Sequence, residues 1–153
     1  MLEPEKIEKL SNGILKKYCQ GDKYKHCTDE HFEEELSNYP DQFKDQTVFG
    51  LYKSLPNETE GSILITDLGL IVVGKDNNNL LRYDDIESIK PKGSSKIEWN
   101  KSQSIILKLN DGSEESLLVP GEGPELNIWP FFEFLSKVLW WVKYRKEKSG
   151  TSS

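Results

Sequence analysis

Four side chains that could bind a metal ion lie close together in the N-terminal third of the chain: Cys19, His26, Cys27 and His31. A structural zinc ion takes four nitrogen or sulfur ligands in a tetrahedron. The spacing C-x6-H-C-x3-H lacks the C-x2-C pair that makes such motifs specific, and the adjacent His26 and Cys27 make an awkward ligand pair. We therefore predict no metal site and no cofactor. We interpret these residues as a loop histidine, a half-buried thiol and a histidine on a helix surface, and leave open whether the four converge.

Motifs typical of enzymes are missing from the sequence. It contains none of the patterns G-x-x-x-x-G-K-[ST], G-x-G-x-x-G, H-E-x-x-H or G-x-S-x-G. The adjacent Asp84 and Asp85 would point to opposite faces of a strand, whereas acid–base catalysis needs two carboxylates placed in contrasting environments. We interpret this pair as part of a solvated turn, and the run Glu33–Glu35 as a solvated helix face. The chain is therefore expected not to be an enzyme.

The charge of the chain limits its classes of partner. It has 153 residues, with 20 basic and 26 acidic side chains and a net charge of −6. An acidic body repels phosphate backbones, so we expect no nucleic-acid binding, and it favours a basic protein partner. No apolar segment follows Met1 that would serve as a signal peptide, which predicts a cytoplasmic protein with reduced thiols.

A hairpin near the middle of the chain is the stretch around which the other elements are organised. The apolar runs Ile63–Thr66 and Leu70–Val73 flank the sequence Asp-Leu-Gly, and we expect Gly69 to take the positive φ of a tight turn. A second hairpin is predicted around Asn110–Gly112, because Asp-Gly supplies positive φ there as well.

About seven short strands with turn residues between them predict an antiparallel sandwich or barrel and not βαβ units. The predicted segments are Gln46–Leu55, Ile63–Thr66, Leu70–Val73, Leu80–Tyr83, Ile86–Ile89, Lys96–Asn100, Ser104–Leu109 and Glu115–Val119. Of these, Ile86–Ile89 either continues the strand Leu80–Tyr83 or forms the next strand.

Two helices are predicted before these strands. The first starts at Pro4 and carries an apolar stripe through Tyr18, and the second runs from a cap at Thr28 or Asp29 to Leu36. Two short helices cannot bury their stripes alone, so we expect them to dock on a later part of the chain.

A longer amphipathic helix is predicted after the strands, from Ile128 to Val142. Its broad apolar face holds Ile128, Phe131, Phe132, Leu135, Val138, Leu139 and Val142, with Phe134 at the edge. The opposite face holds Glu133, Lys137, Trp140 and Tyr144. The fifteen-residue run is too short and too polar to span a bilayer.

Trp140 and Tyr144 have three interpretations. The N-terminal helices could pack over them, because those helices need a surface to dock on. They could instead form an exposed aromatic pair at a protein interface, with Glu133 and Lys137 beside them. A third interpretation places the basic end of the helix, Trp141–Lys148, against a membrane surface.

The order of these elements resembles the pleckstrin-homology-like superfold, and in particular bacterial PH-like and GRAM-like domains. Ile63–Leu70 matches their I-x-I-T-D-x-G-L-like hairpin, Tyr83–Ile89 matches a Y-x-D-I-x-x-I-like strand, and Asn110–Gly112 matches an N-D-G hairpin before the helix. The resemblance implies a PH-like barrel closed by the last helix. Lipid-binding members carry a basic cluster after the first strand, but Pro56–Gly61 is acidic here, which disfavours phosphoinositide binding by that route.

We accordingly predict an α+β, mainly β protein: a PH-like antiparallel barrel or sandwich of about seven strands with a C-terminal amphipathic helix and two N-terminal helices. Residues 1–45 form the helical extension, 46–145 the PH-like domain and 146–153 a disordered tail. The expected function is that of a non-catalytic binding module for a basic protein, in its most specific form a toxin-neutralising immunity protein. The alternative is a membrane-peripheral PH/GRAM-like module.

Overall fold

The computed structural model describes residues 4–16, 24–30, 32–37, 46–53, 61–74, 78–95, 97–98, 101, 103–119 and 128–150. The helices are α1 (Pro4–Leu10), which continues into a π-helical segment (Ser11–Lys16), α2 (Phe32–Leu36) and α3 (Trp129–Gly150). The strands are β1 (Tyr24–His26), β2 (Val48–Tyr52), β3 (Ile63–Thr66), β4 (Gly69–Val73), β5 (Asn78–Arg82), β6 (Ile86–Pro91), β7 (Ser104–Leu109) and β8 (Glu114–Leu118). The expected α+β class with mostly strands and a C-terminal helix is confirmed.

Two antiparallel sheets contain these strands, five in the order β1-β2-β3-β4-β5 and three in the order β6-β7-β8. A short 3-10 turn, Tyr83–Asp85, connects the two sheets. The first strand of the larger sheet corrects the sequence analysis, which expected a loop at His26. Tyr24 pairs with Tyr52 and His26 with Gly50, so the ladder with β2 fixes a strand too short to show a period of its own.

The five-stranded sheet is covered on both faces. Ile63 and Ile65 face the main core, whereas Leu64 between them faces a smaller cluster on the other side. That second cluster contains Phe32, Leu51, Leu64, Ile71 and Val73. Because α2 supplies Phe32, this five-residue helix covers the outer face of the sheet.

The turn between β3 and β4 confirms the predicted hairpin but not its expected cause. Gly69 has strand conformation, and positive φ occurs instead at glycines such as Gly112, with φ of 90°. Gly69 is required because a Cβ there would collide with the backbone carbonyl of Leu81. Thr66 closes the turn, because its hydroxyl oxygen accepts the Gly69 N–H at 3.1 Å. The Tyr83 hydroxyl donates to the Thr66 carbonyl oxygen at 2.9 Å.

The three-stranded sheet confirms the second hairpin and contradicts one predicted strand. Gly112 has the positive φ expected of the Asp-Gly turn. In the segment expected to form a strand at 96–100, Ile97 and Glu98 are instead helical, and the remaining positions lie outside the described residues. The local cause is Glu98, whose carboxylate accepts bonds from the backbone and hydroxyl of Ser94, both at 2.6 Å. These local bonds compete with strand pairing.

Helix α3, the last of the described elements, packs its apolar face into the main core. Its buried face includes Phe131, Leu135 and Val138, as expected, and Phe134 is fully buried and not at the edge. The helix continues to Gly150, into the segment expected to form a tail. Within the described part of the chain, no helix combines the length and apolar character needed to span a bilayer.

The N-terminal helical segment, residues 4–16, docks on the five-stranded sheet and α3, as expected from its apolar stripe. Ile7, Ile14 and Leu15 are buried in the main core together with residues of α3. The segment contacts both α3 and β1. The docked segment thereby borders the outer face of α3 and forms a contact with β1.

Candidate functional site

The outer face of α3 carries the residues proposed from the sequence to bind a partner. Glu133, Lys137 and Trp140 are exposed and Tyr144 is half-buried. The rings of Trp140 and Tyr144 stack with centroids 5.3 Å apart and planes inclined by 8°. Residues four apart lie on one helix face, so the stack follows from helix geometry. The pair presents a flat aromatic surface, because 57% of Trp140 remains exposed.

Trp141 joins this pair on its inner side. Its ring meets Trp140 edge to face at 4.9 Å and Tyr144 at 5.6 Å. From α1, the Lys6 ammonium lies 3.9 Å from the Trp141 ring centroid, a cation–π contact. Helix α1 therefore docks beside Trp141 and does not cover Trp140, which contradicts the interpretation that the N-terminal helices bury that side chain.

The charged residues of the same face are paired with each other. The Lys137 ammonium lies 3.4 Å from a Glu133 carboxylate oxygen, in an i,i+4 arrangement with both side chains about half exposed. Such a pair contributes only about 0.3–0.5 kcal/mol and carries no net charge. Recognition at this face would therefore depend on the aromatic rings more than on these charges.

A second constellation lies where α1 meets the end of β1. The Cys27 thiol is 3.7 Å from a Glu8 carboxylate oxygen and 3.7 Å from His26 Nε2. The same carboxylate oxygen lies 3.9 Å from His26 Nε2. Three donor atoms, one each of sulfur, nitrogen and oxygen, therefore form a nearly equilateral triangle.

The imidazole in this triangle is held from its far side. His26 is 1% exposed, and its Nδ1 is hydrogen-bonded to the Tyr24 hydroxyl at 3.0 Å. Gly50 on β2 makes room for the tyrosine, because a Cβ there would collide with the Tyr24 ring and hydroxyl. The Asp29 carboxylate accepts the backbone N–H of His26 at 2.8 Å. The ring orientation is thus fixed by its neighbours.

The surroundings of Cys27 suppress its reactivity as a nucleophile. Partial burial raises the pKa of the thiol, and the nearby Glu8 carboxylate raises it further. The thiolate is the nucleophilic form, and reactive cysteines have a lowered pKa. The triangle therefore does not resemble an activated Cys–His pair, although it could ligate a cation.

The sequence analysis missed Glu8 and Tyr24 as members of this cluster. Cys19 and His31, the other two candidate ligands, lie outside the described residues. Glu8 directly follows Ile7, whose side chain is buried under α1. A carboxylate beside a docking stripe lies near the surface that the helix docks on, which is the one signal that could have singled it out.

The backbone carbonyl groups of Asp84 and Asp85, in the 3-10 turn, have structural contacts. The Asn110 backbone N–H donates to the Asp85 carbonyl oxygen at 2.9 Å. Its side-chain amide donates to the Asp84 carbonyl oxygen at 2.8 Å. These bonds join the turn between the sheets to the β7–β8 hairpin, so the motif residues at both places support the fold.

Two regions therefore remain as functional candidates: the stacked aromatic pair on α3, and the triangle of donor atoms between α1 and β1. The first was expected from helix periodicity, and the second comes from packing between segments distant in sequence. Comparison with family models, with curated proteins and with solved structures finds no match for this chain.

Proposed function

We propose that this chain is a non-catalytic binding module that engages a basic protein through the outer face of α3. The observation that carries the proposal is the Trp140–Tyr144 stack, in which a large aromatic residue stays 57% exposed on a helix whose other face is buried. Trp and Tyr dominate the binding energy of protein interfaces. The stack with Tyr144 also fixes the Trp140 ring before binding, which lowers the entropy lost on association.

The nature of the partner follows from charge. The chain carries a net charge of −6, and complementary charge accelerates association and excludes partners of like charge. The Glu133–Lys137 pair is neutral as a unit, so the attraction comes from the acidic body and not from this face. A basic protein surface that offers an apolar pocket for Trp140 fits both features.

The finer fold assignment belongs to the same proposal. Strands β2 to β8 are seven antiparallel strands followed by α3, which is the order on which the resemblance to PH-like and GRAM-like domains rests. Within this proposal the most specific function is toxin neutralisation by an acidic immunity protein, supported by the small size and the net charge. The partner would then be a basic toxin domain.

The test uses affinity purification from the source cells, with the wild-type chain, Trp140→Ala and Leu118→Ala as baits. Leu118 is the matched control, because it is a large apolar residue of similar exposure, 51%, on the three-stranded sheet. We expect a basic protein that is retained by the wild type and by Leu118→Ala. With that protein purified, calorimetry should show that Trp140→Ala weakens binding by about 30-fold or more, the effect of a 2 kcal/mol hot spot.

Two results would refute this proposal. One is an identified partner that binds wild type and Trp140→Ala with equal affinity. The other is flotation of the wild-type chain with vesicles containing anionic lipid at low salt, lost when Lys143 is changed to Glu, which would favour the membrane-peripheral alternative.

A further inference from the structure

The triangle of Glu8, His26 and Cys27 has the dimensions of three corners of a metal tetrahedron. A zinc ion with Zn–S of about 2.3 Å and Zn–N of about 2.0–2.1 Å places sulfur and nitrogen about 3.6 Å apart. The observed separations are 3.7 Å from sulfur to nitrogen, 3.7 Å from sulfur to oxygen and 3.9 Å from nitrogen to oxygen. The same geometry places nitrogen and oxygen about 3.4 Å apart, so the Glu8 oxygen has to move about half an ångström toward His26 Nε2 for all three atoms to reach one ion.

The hydrogen bond between Tyr24 and His26 leaves Nε2 of the imidazole available to bind a metal ion. A metal-bound histidine almost always has its other ring nitrogen hydrogen-bonded, which fixes the tautomer and the ring orientation. Here Nδ1 is bonded to the Tyr24 hydroxyl at 3.0 Å and Nε2 points into the triangle. With the proton on Nδ1, that nitrogen donates to the tyrosine oxygen and Nε2 presents its lone pair.

The donor set indicates the class of ion. One sulfur, one imidazole nitrogen and one carboxylate oxygen suit a borderline transition ion such as Zn²⁺ or Co²⁺, whereas Ca²⁺ and Mg²⁺ require oxygen ligands. On binding, the Cys27 thiol transfers its proton to solvent and the sulfur coordinates as the thiolate. The Glu8 side chain is 40% exposed, so solvent water can complete the tetrahedron.

We propose that Glu8, His26 and Cys27 form a binding site for one Zn²⁺-class ion that fastens α1 to the end of β1. Because the ligands come from two segments that meet only in the folded chain, binding would stabilise the fold and the docking of α1. The same helix carries Lys6, which contacts the Trp141 ring. The inference stands on the triangle alone and does not depend on the proposed partner.

The experiment titrates Co²⁺ into the chelator-treated, reduced full chain. Tetrahedral Co²⁺ with a thiolate ligand gives a charge-transfer band in the near ultraviolet and ligand-field bands in the visible. We expect both at one equivalent, reversed by an equivalent of Zn²⁺. Cys27→Ser should abolish the charge-transfer band, whereas Glu8→Gln should keep it but weaken Co²⁺ binding at least tenfold, because even the loss of an outer-shell partner of a metal ligand typically costs about 10–100-fold in affinity.

Controls separate the assigned ligands from their neighbours. Cys19→Ser should keep the charge-transfer band, and Glu5→Gln, on the exposed side of α1, should keep wild-type affinity. Because Glu8 is partly exposed, its variant is expected to fold even if a His26 variant does not. The proposal is overturned if wild type gives no charge-transfer band, or if Cys27→Ser retains the band. It is also overturned if Glu8→Gln binds Co²⁺ as wild type does.

Discussion

The two sheets of this protein differ in how many faces of their strands are buried. In the five-stranded sheet, β3 is buried at every position, because the main core lies on one face and the α2 cluster on the other. In the three-stranded sheet, Ile105 and Leu107 of β7 are buried, whereas Lys108 is exposed. A central strand of the five-stranded sheet is therefore buried on both faces, whereas the central strand of the three-stranded sheet is buried mainly on one face.

This difference explains what each sheet contributes. A strand with one solvated face alternates polar and apolar residues, whereas one with two covered faces reads as a continuous apolar run. The five-stranded sheet therefore depends on α2, a helix of only five residues, for its second layer. On the outer face of the three-stranded sheet, Lys108 and Leu118 are exposed among the described residues.

The sharpest test of the comparison uses two isoleucines that both point away from the main core. Ile71 is fully buried in the α2 cluster, and Ile106 is half-buried on the outer face of the three-stranded sheet. We expect Ile71→Ala to lower the free energy of unfolding by about 2–5 kcal/mol, because it leaves a cavity. Ile106→Ala should cost less, about 1–2 kcal/mol, because its side chain is partly exposed to solvent and leaves no closed cavity.

Urea unfolding followed by tryptophan fluorescence measures both free energies. A cost for Ile106→Ala equal to that of Ile71→Ala would mean that the outer face of the three-stranded sheet is covered in solution. Phe32→Ala serves as a second probe of the α2 cluster, because removal of its ring should reproduce the effect of Ile71→Ala.

A smaller difference is expected between the glycines of the two hairpins. Gly69 faces the Leu81 carbonyl, where a Cβ cannot fit, whereas at Gly112 the surrounding space is open and only the φ of 90° is demanding. Asparagine tolerates positive φ better than other side chains. We therefore expect Gly112→Asn to cost less than about 1 kcal/mol and Gly69→Asn about 3 kcal/mol, through overpacking against backbone.

Thermal unfolding of the two variants decides between steric and conformational causes. If Gly69→Asn and Gly112→Asn unfold at the same temperature, the close approach of β4 and β5 at Leu81 is not a constraint in solution. Gly69→Ala adds a graded step, because its single methyl group meets the same carbonyl.

Local patterns were enough to predict the hairpins but not the cause of each. The strand segments around Gly69 and Gly112 lie on both sides of a turn within residues 63–73 and 104–119, so composition and period indicate the hairpins directly. The need for glycine at position 69 comes from β5, which no local signal shows. At Ile97 the alternating pattern was misleading, because the Ser94–Glu98 bonds favour a helical turn.

Local sequence patterns also predicted only one of the two candidate functional regions. Trp140 and Tyr144 were predicted on one face because helix period alone places them. The cluster of Glu8 and Cys27 joins residues nineteen positions apart. His26 and Cys27 were named from the sequence as candidate ligands, but His26 lies in a strand of three residues that pairs with β2, and no period or motif indicated that Glu8 would meet them.

Tyr83 lies in the turn that joins the two sheets, and its phenol is buried. Burial raises the pKa of its phenol, and the nearby Asp67 carboxylate raises it further. An unfolded tyrosine ionises near about pH 10. Above that pH the unfolded chain releases a proton that folded Tyr83 keeps, so stability present at neutral pH is lost as pH rises, with a slope approaching about 1.4 kcal/mol per pH unit.

Tyr83→Phe separates this titration from the hydrogen bond. At neutral pH the variant loses the bond to the Thr66 carbonyl oxygen and should be less stable by about 1–3 kcal/mol. Because phenylalanine cannot ionise, the gap between wild type and variant should narrow as pH rises from about 9 to 11. Urea unfolding at several pH values measures the gap. If the free energies of unfolding of wild type and variant change equally with pH, the phenol is solvated in the folded chain. The turn between the two sheets would then be open to water.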